Sequence, residues 1–227
     1  CIKGISQLGE RYSVEIIVVD NGSSDGSAYW LEEHALMDTR LKVIHTDHVL
    51  GEATAKNIIL KQSLGEHLIL MDTSVEVTGD FLPKIVGALS DKKVGVAGSW
   101  GLLSKDLRNF YEIEDGYSDA MQAYCFAFRR ASVLDVDLMR ESFRFYRNLD
   151  LENSFCFLDK GYQIISLGGL PLKRHEHRVW TSLSAEEREK LSLSNFRRFL
   201  KRWGNRRDLL IDPDLVHHDH DHDHDHD

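Results

Sequence analysis

Hydrophobic and polar positions divide the chain into two recurring kinds of segment. Short apolar runs rich in β-branched residues are typical of strands that are buried on both faces of a parallel sheet. Segments with apolar residues every three or four positions are typical of helices that pack against such a sheet. Their alternation predicts an α/β domain in which helices connect parallel strands. The predicted strands are 14–19, 41–45, 68–71, 94–98, 124–128 and 162–166, and the predicted helices are 2–8, 27–36, 51–63, 81–89, 131–134, 148–160 and 184–203.

Two stretches between these elements stand out. The apolar run 68–71 ends abruptly at Asp72, and ligands of open α/β sheets bind beyond the carboxyl ends of the strands. We therefore predict that Asp72 is a site residue, the alternative being that it only caps a loop. Residues 99–117 are polar and aromatic without a clear period, which predicts a surface excursion.

A polar loop, Asp20–Gly26, follows the first predicted strand and precedes a helix. Its glycines permit tight turns, and an acid at a strand end can bind a base or a ribose hydroxyl. A well-capped loop between strand and helix would carry the same residues, so the loop alone does not establish a binding site.

The amino-acid composition is typical of a globular protein. The hydrophobic fraction of 42% and the charged fraction of 29% are ordinary for a globular domain. The net charge is −9, but five acids lie in the alternating His/Asp tail, and without them it is −4, which does not indicate nucleic acid as a partner. The residues around Cys125 and Cys156 predict buried free thiols and a cytoplasmic protein, and no apolar run is long enough to span a membrane. We expect one domain over 1–211, followed by a disordered tail over 212–227 that is either an expression tag or a loose metal binder.

Three segments in order carry a resemblance to a known family: EIIVVDNGSSDGS, GEATAKN and GEHLILMDTSVEVTGDFL, followed by a late Asp-x-Glu before Gly-Tyr. Together they resemble the family-2 glycosyltransferases of GT-A fold, a Rossmann-like, mostly parallel sheet flanked by helices, here with a helical C-terminal segment. Later pieces resemble one bacterial branch. The resemblance implies an inverting enzyme that moves a sugar from a nucleotide-diphosphate sugar to an acceptor hydroxyl. Such an acceptor would be a cell-surface glycan precursor, handled at the inner face of the membrane.

The resemblance also assigns residues to the donor. Asp20 and Asn21 match the part of the family pattern that reaches the nucleotide, and Lys56 and Asn57 match a basic residue and Asn near the diphosphate. An ordinary solvated helix lysine would explain Lys56 equally well. The full predicted set for the nucleotide sugar is Asp20, Asn21, Asp25, Lys56, Asn57, Asp72 and Ser74.

A divalent cation, Mg²⁺ or Mn²⁺, is implied by the same resemblance. The family's Asp-x-Asp reads Asp72-Thr73-Ser74 here, and a hydroxyl is a weaker ligand for such cations than a carboxylate. The departure predicts weakened metal binding. His175 and His177 lie where some GT-A enzymes place a histidine against the metal, although either histidine could instead be structural.

The remaining assignment concerns the reaction itself. Leu149-Asp150-Leu151-Glu152 matches the family's Glu-Asp-x-Asp, with Asp150 at the position of the general base. The structural alternative for Asp150 is an acid favoured by a helix N-terminus. The family's first strand has no counterpart before Cys1, so the sequence is either truncated or belongs to a non-catalytic, sugar- or protein-binding relic of the same fold.

Overall fold

The computed structural model describes residues 1–8 and 11–212. The predicted tail therefore lies outside the described residues except for Asp212, and its disorder stays a prediction. Within the described part, the predicted alternation of strands and helices is present. The first elements are α1 Ile2–Ser6, β1 Ile16–Asp20, α2 Ser27–Met37, β2 Leu41–His45, α3 Glu52–Gln62 and β3 His67–Met71.

The middle and the end of the chain contain more strands than the apolar pattern predicts. The middle elements are β4 Val75–Val77, α4 Leu82–Leu89, β5 Val94–Gly98, β6 Gly101–Ser104, β7 Phe110–Ile113, β8 Gly116–Ser118, β9 Ala120–Met121 and β10 Cys125–Arg129. The last elements are α5 Arg130–Val136, α6 Leu149–Asp159, β11 Gln163–Ser166, β12 Leu172–Arg174, α7 Arg178–Ser182, α8 Ala185–Trp203 and a 3₁₀ turn over Arg207–Leu209.

A five-stranded sheet with the order β3-β10-β5-β11-β8 forms the centre of the molecule. Strands β5 and β11 pair in parallel, while β10 pairs antiparallel with both β3 and β5. Because β10 runs against both neighbours, β3, β5 and β11 all point the same way, and their carboxyl ends meet at one edge of the sheet. A separate parallel pair, β1 and β2, carries the Asp20 loop. Each of β1 and β3 has a strand neighbour on one side only among the described residues.

The segment predicted as a surface excursion, 99–117, has many exposed residues but consists largely of strands that the sequence pattern did not predict. This segment forms β6, β7 and β8, and β6 pairs antiparallel with both β7 and β9. Its strands are only three or four residues long, so alternation has no room to show as a period. The turn between β6 and β7 places Leu107 at φ 64 and buries its side chain completely, a conformation that no Gly or Asn at that position signals.

Helix α8 closes the domain on the side of α6. Ser184 and Glu187 form a reciprocal capping box that begins α8, and the helix buries Phe199 and Trp203. These two rings pack with Leu151 and Phe155 of α6 in a separate core cluster. The segment 184–203, for which the charged amphipathic pattern predicts a helix or a helix pair, is therefore a single helix whose apolar side packs on α6.

Candidate active site

A cavity of about 520 Å³ opens between the carboxyl end of β3, the start of α6 and the side of α8. This volume is in the range of small-molecule sites in proteins. The residues that line it come from widely separated segments: Asp72, Leu102, Arg108, Phe110, Gln122, Ala123, Tyr124, Tyr146, Arg147, Asn148, Asp150, Leu151, His177, Trp180, Glu189, Ser192, Leu193 and Phe196. Of the predicted site residues, Asp72, Asp150 and His177 meet in this cavity.

Asp72 is held by hydrogen bonds on both carboxylate oxygens. The backbone N–H of Ser74 donates to Oδ1 at 2.8 Å, and Nε2 of His177 lies 3.0 Å from Oδ2. Burial alone would raise the pKa of Asp72, but the hydrogen bonds from His177 and Ser74 outweigh it and lower the pKa to about 2. Asp72 is therefore a permanent anion at the cavity wall.

His177 is fixed by its neighbours. Its ring stacks on Tyr146 with a centroid distance of 3.8 Å and an interplanar angle of 6°. While Nε2 faces Asp72, Nδ1 is buried without a hydrogen-bond partner in the described part of the chain. The stacking and the contact with Asp72 together set the orientation of the imidazole toward the cavity.

Asp150 lies in the first turn of α6 and has different surroundings. Its Oδ2 accepts from the backbone N–H of Ala123 at 3.2 Å, and its Oδ1 accepts from that of Leu151 at 3.0 Å. Within the described residues it forms no ion pair. Burial raises the pKa of Asp150, against the weaker opposing effects of the Ala123 hydrogen bond and the charge of Lys56. A carboxylate with a raised pKa is a stronger base than an exposed one.

Two cations lie near Asp150 without touching it. The charges of Lys56 and Arg147 both act to lower its pKa, and Lys56 itself pairs with Glu52 at 3.1 Å in α3. Arg147 stacks on Trp180, with its guanidinium carbon 4.5 Å from the ring centroid. These cations make this part of the cavity suitable for negatively charged groups.

The Asp20 loop forms a second polar cluster at the end of β1. Asp20 is buried, with Nδ1 of His45 2.8 Å from its Oδ2, while Nε2 of His45 lies 2.6 Å from Glu32. A hydrogen bond from Ser23 lowers the pKa of Asp20. Burial opposes this shift, and the hydrogen bond from His45 adds to it. The side chain of Asn21 accepts from the backbone N–H of Leu50 at 2.8 Å, which links the Asp20 loop to the loop between β2 and α3.

Asp25 connects this loop with the cavity region. Hydrogen bonds from Ser27 lower the pKa of Asp25, and the charge of Arg178 acts in the same direction. Because Arg178 follows His177 directly, the Asp20 loop approaches α7 beside the cavity. The predicted nucleotide residues of this loop, Asp20, Asn21 and Asp25, do not line the cavity, whereas Asp72 does.

Three further predicted residues, Asn57, Ser74 and His175, do not line the cavity and form hydrogen bonds with other groups. Asn57 is 2% exposed and exchanges hydrogen bonds with the backbone of Met139 at 2.9 Å. His175 faces Glu76, with 2.6 Å between Nε2 and Oε2. The hydroxyl of Ser74 donates to Asp72. Their assignment to the donor or the metal stays a prediction. Among the described residues, no group of three His, Cys, Asp or Glu side chains is arranged to hold a metal.

Sequence reasoning did not identify Tyr146, Arg147 and His45 as parts of these clusters. Tyr146 and Arg147 directly precede α6, so their position before the predicted base was the available signal. Two residues that orient polar groups here, Tyr146 and His45, act through contacts with distant segments, which no local pattern reveals.

Comparison with known proteins supports the resemblance to a glycosyltransferase family. The model of the family described as Glycosyl transferase family 2 matches residues 1–147, which is more than half of the chain. The chain belongs to this family. Glycosyltransferase GlyG of Streptococcus pneumoniae is 28% identical over 113 residues, which cover 49% of this chain and 37% of the relative. An undecaprenyl-phosphate 4-deoxy-4-formamido-L-arabinose transferase of Proteus mirabilis is 32% identical over 99 residues, 43% of this chain and 29% of the relative.

Solved structures show the same fold. GalNAc-T7, determined with UDP, GalNAc and Mn²⁺, matches with a TM-score of 0.69 at 16% identity, over 90% of this chain and 45% of that one. The mannosyltransferase PcManGT of Pyrobaculum calidifontis, determined with GDP-Man and Mn²⁺, matches with a TM-score of 0.60 at 17% identity, over 82% of this chain and 55% of that one. The predicted GT-A α/β fold is confirmed.

The comparisons cover only part of each relative. The chain spans 37% of the length of GlyG and 29% of that of the Proteus transferase. Within residues 1–8 and 11–212, no helix combines the length and the apolar character needed to cross a membrane.

Proposed function

We propose that the protein transfers a sugar from a nucleotide-diphosphate sugar to an acceptor hydroxyl, with inversion at the anomeric carbon. The observation that supports this most strongly is that one cavity is lined by both Asp72 and Asp150. Asp72 is a permanent anion at the end of β3, and Asp150 is a carboxylate whose pKa is raised by burial. Two carboxylates with opposite pKa shifts in one cavity suit one binding role and one proton-transfer role.

In this reaction Asp150 is the general base. The acceptor oxygen attacks the anomeric carbon while Asp150 takes the hydroxyl proton, and the bond from that carbon to the diphosphate oxygen breaks on the opposite face. A single carboxylate suffices for this displacement because the diphosphate leaves as a stabilised anion. The absence of an ion pair on Asp150 within the described residues leaves it available to accept the proton.

The donor would lie across Asp72 and the Asp20 loop. Asp20, Asn21 and Asp25 would bind the nucleoside, and Lys56 would favour the diphosphate through its charge. The bound UDP and GDP-Man in the structural neighbours support a nucleotide-diphosphate donor in this fold.

A divalent cation fits the cavity only in part. Asp72 and His177 offer one carboxylate and one imidazole 3.0 Å apart, and Mg²⁺ or Mn²⁺ is commonly held by one or two protein ligands together with phosphates and water. Asp72 and His177 would therefore hold the cation, with Ser74 reducing its affinity relative to a second carboxylate. The bound cation would supply positive charge against the leaving diphosphate.

For the acceptor, we propose a precursor of a cell-surface glycan. The support lies in the names of relatives, which include the undecaprenyl-phosphate transferase of Proteus mirabilis and a putative teichuronic acid biosynthesis glycosyltransferase of Bacillus subtilis. The inner face of the membrane as the place of reaction stays a prediction.

Calorimetric titration with several nucleotide diphosphates, with and without Mn²⁺, tests the donor site. We expect one of them to bind, more tightly with Mn²⁺. Asp150→Asn should lower transfer by about 10²–10⁴-fold while leaving this binding unchanged, because it removes only the base. Asp159→Asn, at the exposed end of the same helix, is the matched control and should retain transfer. Binding by no nucleotide diphosphate would overturn the donor site, and full activity of Asp150→Asn would remove Asp150 from the mechanism.

A further inference from the structure

The cavity has an apolar wall that the roles of Asp72 and Asp150 leave unused. Phe110 of β7 and Phe196 and Leu193 of α8 lie on this wall. Phe110 and Phe196 pack on the fully buried ring of Phe199, with centroid distances of 6.1 Å and 5.9 Å. Leu193 is 41% exposed. The wall is thus supported from the core and still presents apolar surface to a ligand.

The turn between β6 and β7 places the side chain of Arg108 at the same cavity. The turn between β6 and β7 buries Leu107 at φ 64, a backbone conformation that persists only where the surroundings hold it. The carboxylate of Asp106 accepts from the backbone N–H groups of Arg108 at 2.8 Å and Asn109 at 2.7 Å. The backbone that carries Arg108 is therefore held in one position at the cavity wall.

The Arg108 guanidinium has no carboxylate partner among the described residues. It donates to the backbone carbonyl of Asp106 at 3.4 Å, which is a weak hydrogen bond. The hydroxyl of Ser192, which also lines the cavity, is buried without a partner in the described part of the chain. A planar guanidinium that is not paired with a carboxylate of the protein can donate hydrogen bonds to a carboxylate or a phosphate of a ligand.

We propose that this wall, defined by Arg108, Phe110, Leu193 and Phe196, is an acceptor subsite for an amphipathic, anionic acceptor. Arg108 would bind a carboxylate or phosphate of the acceptor, and the apolar side chains would bind an alkyl portion attached to it. The acceptor hydroxyl would then face Asp150 across the same cavity. This inference rests on the proposed function, since it names the chemical class of the acceptor.

Three small probes separate the two parts of the subsite: octyl glucoside, octyl glucuronide and octyl phosphate. Calorimetry below their micelle-forming concentrations, at low salt and without donor, gives each affinity. We expect at least one anionic probe to bind about fivefold or more tightly than octyl glucoside, because a charge-assisted hydrogen bond to Arg108 is added. A preference for the glucuronide identifies a carboxylate on the sugar, and a preference for the phosphate identifies a phosphate on the alkyl part.

Two variants of the turn provide the decisive comparison. Arg108→Gln should abolish the preference for the anionic probe, whereas Lys105→Gln should keep it, because Lys105 is exposed on the same turn but does not line the cavity. Leu193→Ser should weaken all three octyl probes by a similar factor of about three to ten. Thermal melting of each variant establishes that it is folded.

Equal binding of the neutral and both anionic probes would overturn the proposal. So would equal losses in Arg108→Gln and Lys105→Gln, which would indicate a general charge effect. Loss of nucleotide-diphosphate binding in Arg108→Gln, with the octyl probes unaffected, would place Arg108 at the donor instead. None of these measurements needs sugar transfer, so their failure is distinguishable from a failure of the Asp150→Asn test.

Discussion

The first turn of α6 presents two acids to two different regions of the molecule. Asp150 faces the cavity, where, within residues 1–8 and 11–212, its hydrogen-bond donors are the backbone N–H groups of Ala123 and Leu151. Glu152 faces the core and is 1% exposed. Its Oε1 lies 2.6 Å from Arg202 and 3.1 Å from Arg140, and its Oε2 accepts from the Trp203 indole at 2.9 Å.

The difference shows what decides the role of a buried carboxylate. Both acids lie at the N-terminus of the same helix, so the helix dipole favours both. Glu152 has cationic partners and joins α6 to α8. Asp150 forms no ion pair with the part of the chain that the structure describes, and burial raises its pKa. The ion pairs of Glu152 suit a structural role, whereas the position of Asp150 in the cavity and its raised pKa make it a candidate base.

The largest effect on stability is expected from Glu152→Ala. The change leaves the Trp203 N–H and two arginines without their acceptor, and we expect a loss of about 3 kcal/mol in the free energy of unfolding. Denaturant titration measures it. Glu186→Ala, an exposed acid of α8, is the control and should cost less than about 1 kcal/mol. A loss below 1 kcal/mol for Glu152→Ala would show that the cluster does not stabilise the fold.

Asp119 is a second acid that accepts from backbone N–H groups, but it lies in the core. It is fully buried and accepts from the backbone N–H groups of Ser104 at 2.8 Å and Ile211 at 2.7 Å. Burial raises its pKa from 3.8 to about 6, against the effects of those two hydrogen bonds. Backbone donors therefore do not offset the cost of burying this charge.

Asp119 thus predicts a specific dependence of stability on pH. Because the folded state favours the protonated acid, its contribution is fully present below pH 4 and is lost as the pH rises through about 6. The difference in the free energy of unfolding between the wild type and Asp119→Asn should change by about 2–3 kcal/mol between pH 4 and pH 7. The wild type should become less stable relative to the variant as the pH rises. Denaturant titration at each pH provides the measurement, and a pH-independent difference would contradict it.

Asp150→Asn should have the opposite sign from Glu152→Ala. Removing an unpaired, desolvated charge is expected to raise the free energy of unfolding at pH 7 by about 1 kcal/mol, as is common where activity requires a destabilised site. The measurement is denaturant titration in parallel with Asp159→Asn. A clear loss of stability would mean that the Asp150 carboxylate holds the fold together as Glu152 does.

The smallest expected effect concerns the pH profile of transfer. Activity should rise with pH as Asp150 loses its proton, with an inflection above the ordinary range of an aspartate because burial raises its pKa. Lys56→Gln should move the inflection further up, since the charge of Lys56 favours the ionised form. Lys61→Gln, exposed on the same helix, should leave it in place. An inflection that moves down in Lys56→Gln would contradict the assignment.

Much of the fold could be predicted from local pattern. The predicted strands over 41–45 and 94–98 coincide with β2 and β5, and the start of β3 differs by one residue. These elements are buried apolar runs, for which sequence and environment agree. The strands within 99–117 were missed because they are short and because the turn at Leu107 depends on burial of its side chain.

The sequence by itself determined the fold class, the family, and Asp72 and Asp150 as candidates. Only the tertiary structure brought these two acids to one cavity. The antiparallel register of β3 and β10 pairs Met71 with Cys125, so the backbone of Tyr124 accepts from Asp72 at 3.1 Å. The adjacent N–H of Ala123 donates to Asp150. Strand pairing and its register join segments distant in the chain, and this physical link is absent from any local pattern.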